Sequence, residues 1–177
     1  MTTTPLTRYD RGMLQLMNDR RARPLYATAT RRRLVVAAHV LLTASIGGLL
    51  AYFSLAKDRQ IWAVVSVAAL TLPWMVATGV INAATRGLLE LRTRALDERQ
   101  LADRARVQAG AHRMMTLLLA AGAAALLITD AADGHTPTAY AAPVLIGALV
   151  VHWLMPLWMA GLSAQDEPDE DGLTAGR

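Results

Sequence analysis

Apolar residues are gathered into four blocks, and charged residues lie almost entirely between these blocks. The blocks cover residues 34–56, 61–84, 112–132 and 140–164. A helix needs about 20 residues to cross the roughly 30 Å of hydrocarbon in a bilayer. Hydrocarbon offers no hydrogen-bond partner, so a spanning block must satisfy its own backbone as a helix. The pattern therefore predicts an all-α, four-helix transmembrane bundle.

The third block is the shortest, because only residues 114–129 are uninterrupted by charge. It reaches span length if Arg113 lies at one interface and the stretch 130–133 lies at the other. The alternative is a re-entrant or core helix, which would leave three spans and put the termini on opposite sides. We favour four spans, since the third block is joined to the fourth by a short polar turn.

Arginine placement predicts the orientation. Eight Arg precede the first block, and seven lie in residues 85–113, between the second and third blocks. Between the first and second blocks there are only Lys57 and Arg59, and the turn between the third and fourth has no basic residue. The positive-inside rule then places both termini in the cytoplasm, with the chain in the cell membrane. The first block begins only at Leu34 and is too long for a signal-peptide core, so we expect it to act as an anchor.

The domain organisation follows from these spans. Residues 1–33 form a basic cytoplasmic segment, and 34–164 form the membrane domain with a cytoplasmic helical loop at 85–111. Within the first segment, 9–23 predicts either a short amphipathic helix on anionic lipid or a disordered basic arm. Residues 165–177 form an acidic tail that we expect to be disordered.

Charge and composition argue against several classes of function. The formal net charge is +4, but the Arg residues flank apolar blocks, which indicates contacts with anionic lipid head groups and no nucleic acid. The chain has no cysteine, which excludes disulfides and thiolate catalysis. No catalytic motif, metal site or cofactor is assigned. The spans also lack a central carboxylate, which counts against a proton-coupled carrier.

The loop before the third span is the most structured polar segment. Asp97 and Gln100 have the spacing of a capping box, and the helix that it starts can run unbroken into the third span. Pairs such as Arg99 with Asp103, and Glu90 with Arg94, have the spacing that supports a helix. The simple interpretation is a solvated helix, and the functional one is a docking or lipid-contacting surface. Its candidate residues are Arg31, Arg32, Arg33, Asp97, Glu98, Arg99, Arg104 and Arg106.

Two histidines lie inside spans. His39 and His152 could ligate a haem or a metal if they faced each other. The alternative is that each bonds a neighbouring helix, with Thr43 as a partner for His39 on its own face. Pro73 and Pro156 are predicted to kink the second and fourth spans.

A two-span hairpin, then Leu96-Asp97-Glu98-Arg99-Gln100, then an Arg-rich helix entering a second hairpin resembles small four-helix actinobacterial integral membrane proteins with an Asp-Glu-Arg-Gln motif before the third span. The match is detailed over roughly residues 85–115 and elsewhere extends only to the layout. The resemblance implies four helices and no assigned activity.

These observations favour a non-enzymatic accessory, regulatory or scaffold membrane protein with a cytoplasmic docking loop. Its expected partners are the lipid bilayer, anionic head groups and a cytoplasmic or membrane protein, with a homo-oligomer as a further possibility. One alternative is a small-solute transporter that acts as a homo-oligomer. Another is a haem or quinone redox subunit.

Overall fold

The computed structural model describes residues 7–17, 23–55, 61–133 and 141–164, and this part of the chain contains helices and no strand. Four of the helices are long and apolar enough to cross a membrane, which confirms the predicted all-α four-helix architecture and supports a multi-pass membrane protein. The helices in chain order are α1 (Arg8–Met17), α2 (Arg23–Tyr26), α3 (Ala29–Leu55), α4 (Ile61–Ala84), α5 (Glu98–Asp133) and α6 (Ala141–Ser163), with a 3₁₀ turn at Thr93–Ala95 before α5.

Helix α5 begins at the predicted capping box. The backbone N–H of Gln100 donates to Oδ1 of Asp97 at 2.7 Å, and the N–H of Asp97 donates to Oε1 of Gln100 at 3.0 Å. From there α5 runs without a break for 36 residues, a length of about 54 Å at 1.5 Å per residue. Only its second part is apolar, so α5 extends beyond the hydrocarbon by about four turns.

The other three long helices all pack against α6. Helix α3 packs along α4, α6 packs against both, and α5 packs mainly against α6. Their shared core contains Val36, Ile81, Met155 and Trp158. These residues lie near one end, formed by the start of α3, the end of α4, the start of α5 and the end of α6, and we call it the arginine-rich end. Towards the other end, the side chains of residues 116–128 in α5 are all exposed.

A glycine allows the closest approach within this core. A Cβ atom on Gly161 of α6 would lie 2.8 Å from Cγ2 of Val36 in α3 and 3.0 Å from Cγ2 of Ile81 in α4. Small residues let membrane helices approach until their backbones nearly touch. Gly161 therefore sets the spacing of three helices at the arginine-rich end.

The turn after α4 is a Schellman motif. The N–H of Gly87 donates to the carbonyl of Asn82 at 2.8 Å, and the N–H of Arg86 donates to that of Ala83 at 3.0 Å. Arg86 and Gly87 both have positive φ, 51° and 68°. Atoms of the Met17 side chain lie where a Cβ on Gly87 would be, so α1 is packed against this turn.

Helix α1 is thus folded onto the connector between α4 and α5. Asp10 is buried, and its carboxylate accepts hydrogen bonds from the backbone N–H and the hydroxyl of Thr7, which caps the helix. The Arg92 guanidinium lies 5.2 Å from the centre of the Tyr9 ring, within cation–π range. Residues 8–17 therefore form a helix, as one of the two sequence interpretations predicts, while 18–22 lie outside the described residues.

Candidate functional site: the arginine-rich end and a buried histidine

The three consecutive arginines before the first apolar block have different environments. Arg31 and Arg33 are exposed, whereas Arg32 is only 6% exposed. Its guanidinium donates to the carbonyl of Tyr26 at 3.2 Å and to that of Ala164 at 2.6 Å. The last carbonyls of a helix lack partners within the helix, and a cation there also interacts favourably with the helix dipole. Arg32 therefore joins the start of α3 to the end of α6, and its predicted role as a lipid or docking contact is wrong.

Arg104 also has a structural contact. It is half-buried, and its guanidinium donates to the carbonyl of Leu91 at 2.9 Å, which holds the connector against α5. The predicted pair of Arg99 with Asp103 is not formed, because Asp103 contacts Arg106 at 3.0 Å one turn along the helix. That pair is exposed and contributes little to stability. The other predicted partner, Arg94, has a side chain outside the described residues.

The exposed arginines of α5 fall on one face. Arg99, Arg106 and Arg113 are spaced by seven residues and are all exposed. A seven-residue spacing drifts by only about 20° per step on a straight helix, so the three form one line about 21 Å long. The buried positions Val107 and Ala111 lie about 100° and 140° around the helix from Arg106. We call the three the arginine stripe. Arg113 is absent from the sequence-based candidates, although the spacing of seven would have identified it.

The arginine stripe extends away from the membrane. The apolar part of α5 starts after Arg113, which places Arg106 about 11 Å and Arg99 about 21 Å further out than Arg113 along the helix. The polar layer of a bilayer is about 5–8 Å thick on each side. With the hydrocarbon boundary at Arg113 and α5 along the bilayer normal, Arg113 would be within reach of lipid head groups, and Arg106 and Arg99 would lie progressively further out. The exposed Asp97 and Glu98 lie beside Arg99 at the far end of the helix.

A second polar group is buried between the helices. His39 in α3 has no exposed surface. The indole N–H of Trp158 donates to its Nδ1 at 2.9 Å, and its Nε2 lies 2.9 Å from the hydroxyl oxygen of Thr78. An indole nitrogen can only donate, so Nδ1 is the unprotonated nitrogen, and Nε2–H donates to Thr78. The Thr78 hydroxyl in turn donates to the carbonyl of Trp74 at 2.9 Å.

Two further hydrogen bonds extend this network. The indole N–H of Trp74 donates to Oγ1 of Thr43 at 2.9 Å, and the Thr43 hydroxyl donates to the carbonyl of His39 at 2.8 Å. Thr43 therefore bonds the backbone of His39 and not its ring. The imidazole lies between the two tryptophans, at 5.0 Å from the Trp74 ring and 6.1 Å from the Trp158 ring. The network ties α3, α4 and α6 together, and hydrogen bonds of this kind strengthen helix association in lipid.

The structure does not bring His152 to His39. His152 is exposed on α6, and it has no hydrogen-bond partner among the described residues. Both ring nitrogens of His39 already bond other side chains. The expectation that the two rings face each other, as axial ligands of a haem or as a metal pair, is therefore wrong. The two prolines stand inside continuous helices, with Pro73 exposed in α4 and Pro156 half-buried in α6.

No family model, no curated protein and no solved structure matches this chain. The resemblance to small actinobacterial membrane proteins stays a prediction. The function is therefore inferred from the geometry of the arginine-rich end and of the exposed side chains of the long helices.

Proposed function

We propose that this chain is a non-enzymatic accessory or regulatory protein of the cell membrane, with the arginine-rich end in the cytoplasm. Arg99 and Arg106 of the arginine stripe bind an acidic segment of a cytoplasmic protein. The exposed Arg31 and Arg33 beside the membrane, together with Arg113, bind anionic lipid head groups. The orientation is supported by the concentration of Arg at this end, because basic loops stay on the cytoplasmic side.

The observation that carries the proposal is the position of Arg99 and Arg106. Both side chains are exposed on a helix whose other side is packed. With Arg113 at the hydrocarbon boundary, Arg106 lies about 3–6 Å beyond the polar layer and Arg99 lies more than about 10 Å beyond it, so Arg99 in particular is out of reach of head groups. Their guanidinium groups offer planar sets of donors that match carboxylates. Among the described residues, Arg106 contacts the carboxylate of Asp103, which is itself partly exposed and leaves donors of Arg106 available.

The stripe is also held rigidly. The capping box fixes the start of α5, and Arg104 bonds the connector on the packed side of the helix. A preorganised surface loses less conformational entropy when a partner binds. Arg104 therefore positions the binding surface without forming part of it.

The proposal is tested with the full chain in nanodiscs of zwitterionic lipid and a fluorescent hexaglutamate peptide as the probe. Exposed ion pairs contribute about 0.2–1 kcal/mol each, so the double variant Arg99→Ala/Arg106→Ala should weaken peptide binding about 2- to 30-fold at low salt. The matched control is Arg31→Ala/Arg33→Ala, which removes the same charge beside the membrane. It should change peptide binding less than twofold and instead reduce binding to vesicles that contain phosphatidylserine.

The same variants are then used for affinity capture from a detergent-solubilised whole-cell extract, which contains cytoplasmic proteins. Proteins that recognise the stripe should be captured by the wild type and by Arg31→Ala/Arg33→Ala, and lost with Arg99→Ala/Arg106→Ala. If the two double variants weaken peptide binding equally, only net charge matters and the proposed docking surface is wrong. No observation on the described residues favours the small-solute transporter, and a haem or quinone subunit loses its proposed histidine pair.

A further inference from the structure

His152 occupies the centre of the last membrane helix. It lies eleven residues from each end of α6, which spans Ala141–Ser163. At 1.5 Å per residue this is about 16 Å from either end, which is the middle of a hydrocarbon layer about 30 Å thick. Its side chain is exposed on the outer surface of the bundle and makes no hydrogen bond to the described residues.

A polar group in this position is costly when lipid alone surrounds it. Neither ring nitrogen finds a partner in hydrocarbon, and polar side chains inside membranes almost always bond another protein group. A second polar group of His152 also lacks its usual partner, because Pro156 has no N–H to donate to the carbonyl of His152 four residues earlier. The ring and the carbonyl of one residue therefore both lack their usual partners at the same depth.

We propose that α6 packs against α6 of a second copy of this chain, and that the two His152 side chains bond each other across the interface. A neutral imidazole has one donor and one acceptor, so it is complementary to an identical imidazole. A two-fold axis brings the same residue of both copies together at the same depth. A second copy in the same orientation therefore supplies one hydrogen bond, which gives one ring nitrogen of each copy a partner.

The surface around His152 suits this contact. Leu145 and Leu149 lie two turns and one turn before it, respectively, on the same exposed face of α6, and are 69% and 67% exposed. The contact would therefore consist of apolar packing with one polar pair at its centre. Hydrogen bonds between membrane helices provide such contacts with specificity, at about 0.6–2 kcal/mol.

The test measures energy transfer between labelled full-length copies in proteoliposomes as the lipid-to-protein ratio is varied. The wild type should dimerise, and His152→Leu should reduce the association constant about 3- to 30-fold. His152→Asn keeps a donor and an acceptor and should remain within about threefold of the wild type. Thermal unfolding of each monomer in detergent should be unchanged, because the side chain faces outwards.

The position of the interface is tested by cross-linking, since the chain has no cysteine of its own. Leu149→Cys should form a disulfide-linked dimer with a membrane-permeant oxidant, and adding His152→Leu should lower the yield. Val76→Cys is the matched control, because Val76 is similarly exposed but lies on α4. A monomeric wild type at every lipid ratio, equal association of wild type and His152→Leu, or equal cross-linking at both cysteines would each overturn the proposal.

Discussion

Replacing Gly161 with alanine adds one methyl group at the place where α3, α4 and α6 meet. Its carbon would lie 2.8 Å from Cγ2 of Val36 and 3.0 Å from Cγ2 of Ile81, whereas carbon atoms pack best at about 3.5–4.0 Å. Both neighbours must therefore move away from α6 by about 0.5–1 Å, and both are β-branched residues with restricted χ1. Overpacking of this kind costs about 1–3 kcal/mol, and the better helix propensity of alanine offsets up to about 1 kcal/mol. We expect a net loss of about 1–2 kcal/mol.

The assay is reversible unfolding in mixed micelles, followed by the fluorescence of the tryptophans. Gly147→Ala is the control, because it lies in the same helix and a Cβ there meets no atom within 4 Å. Val36→Ala removes the closest methyl group, so a double-mutant cycle with Gly161→Ala should show a favourable coupling of about 1 kcal/mol. If Gly161→Ala is as stable as Gly147→Ala, or shows no coupling to Val36→Ala, the proposed close approach is wrong.

Three further substitutions test the contacts that hold the arginine-rich end together. Arg32→Leu should lower the unfolding free energy by about 2 kcal/mol or more, since one buried and one partly buried carbonyl lose a charged donor. Arg33→Leu, at an exposed position, should change it by less than about 0.5 kcal/mol, and equal losses would refute the role of Arg32. Thr78→Val leaves the ring N–H of the buried histidine without an acceptor and should cost about 1–3 kcal/mol. Thr71→Val is its control, because that hydroxyl bonds only a carbonyl of its own helix, and similar melting temperatures for the two would contradict the network. Asp97→Ala removes the cap of α5 and should cost about 0.5–2 kcal/mol, seen as faster amide hydrogen exchange in the first turn of α5; protection equal to the wild type would count against the cap.

Local sequence signals predicted much of the fold. The apolar blocks locate the spans, because lipid requires a continuous apolar stretch whatever its neighbours are. The second block and α4 cover the same residues, 61–84. The capping box at Asp97 and Gln100 depends on residues three apart, so it too can be found without a tertiary structure.

Tertiary contacts determine which of the arginines and histidines are buried, and the local sequence does not predict this. Arg31, Arg32 and Arg33 are chemically identical, and only the position of Ala164, 132 residues after Arg32, determines which of them is buried. Similarly, the two histidines both lie in apolar blocks, but the side of the helix on which each falls separates a buried hydrogen-bonded ring from an exposed one. Periodicity identifies the buried side of a helix only when polar and apolar residues recur with the helical period of about 3.6 residues. In a membrane span nearly every position is apolar, so this signal is absent.

The hydrogen bond between Trp158 and His39 joins residues that are 119 positions apart, and this has a consequence for biogenesis. Ribosomes add roughly 5–20 residues per second, so α3 is made roughly 6–24 s before the indole that its imidazole requires. During that interval Nδ1 of His39 lacks its hydrogen-bond donor, and the surfaces of α3 and α4 that α6 covers in the folded chain are still uncovered. Translation products that stop before α6 keep both defects, and we expect membrane insertion factors to retain them and quality-control proteases to degrade them.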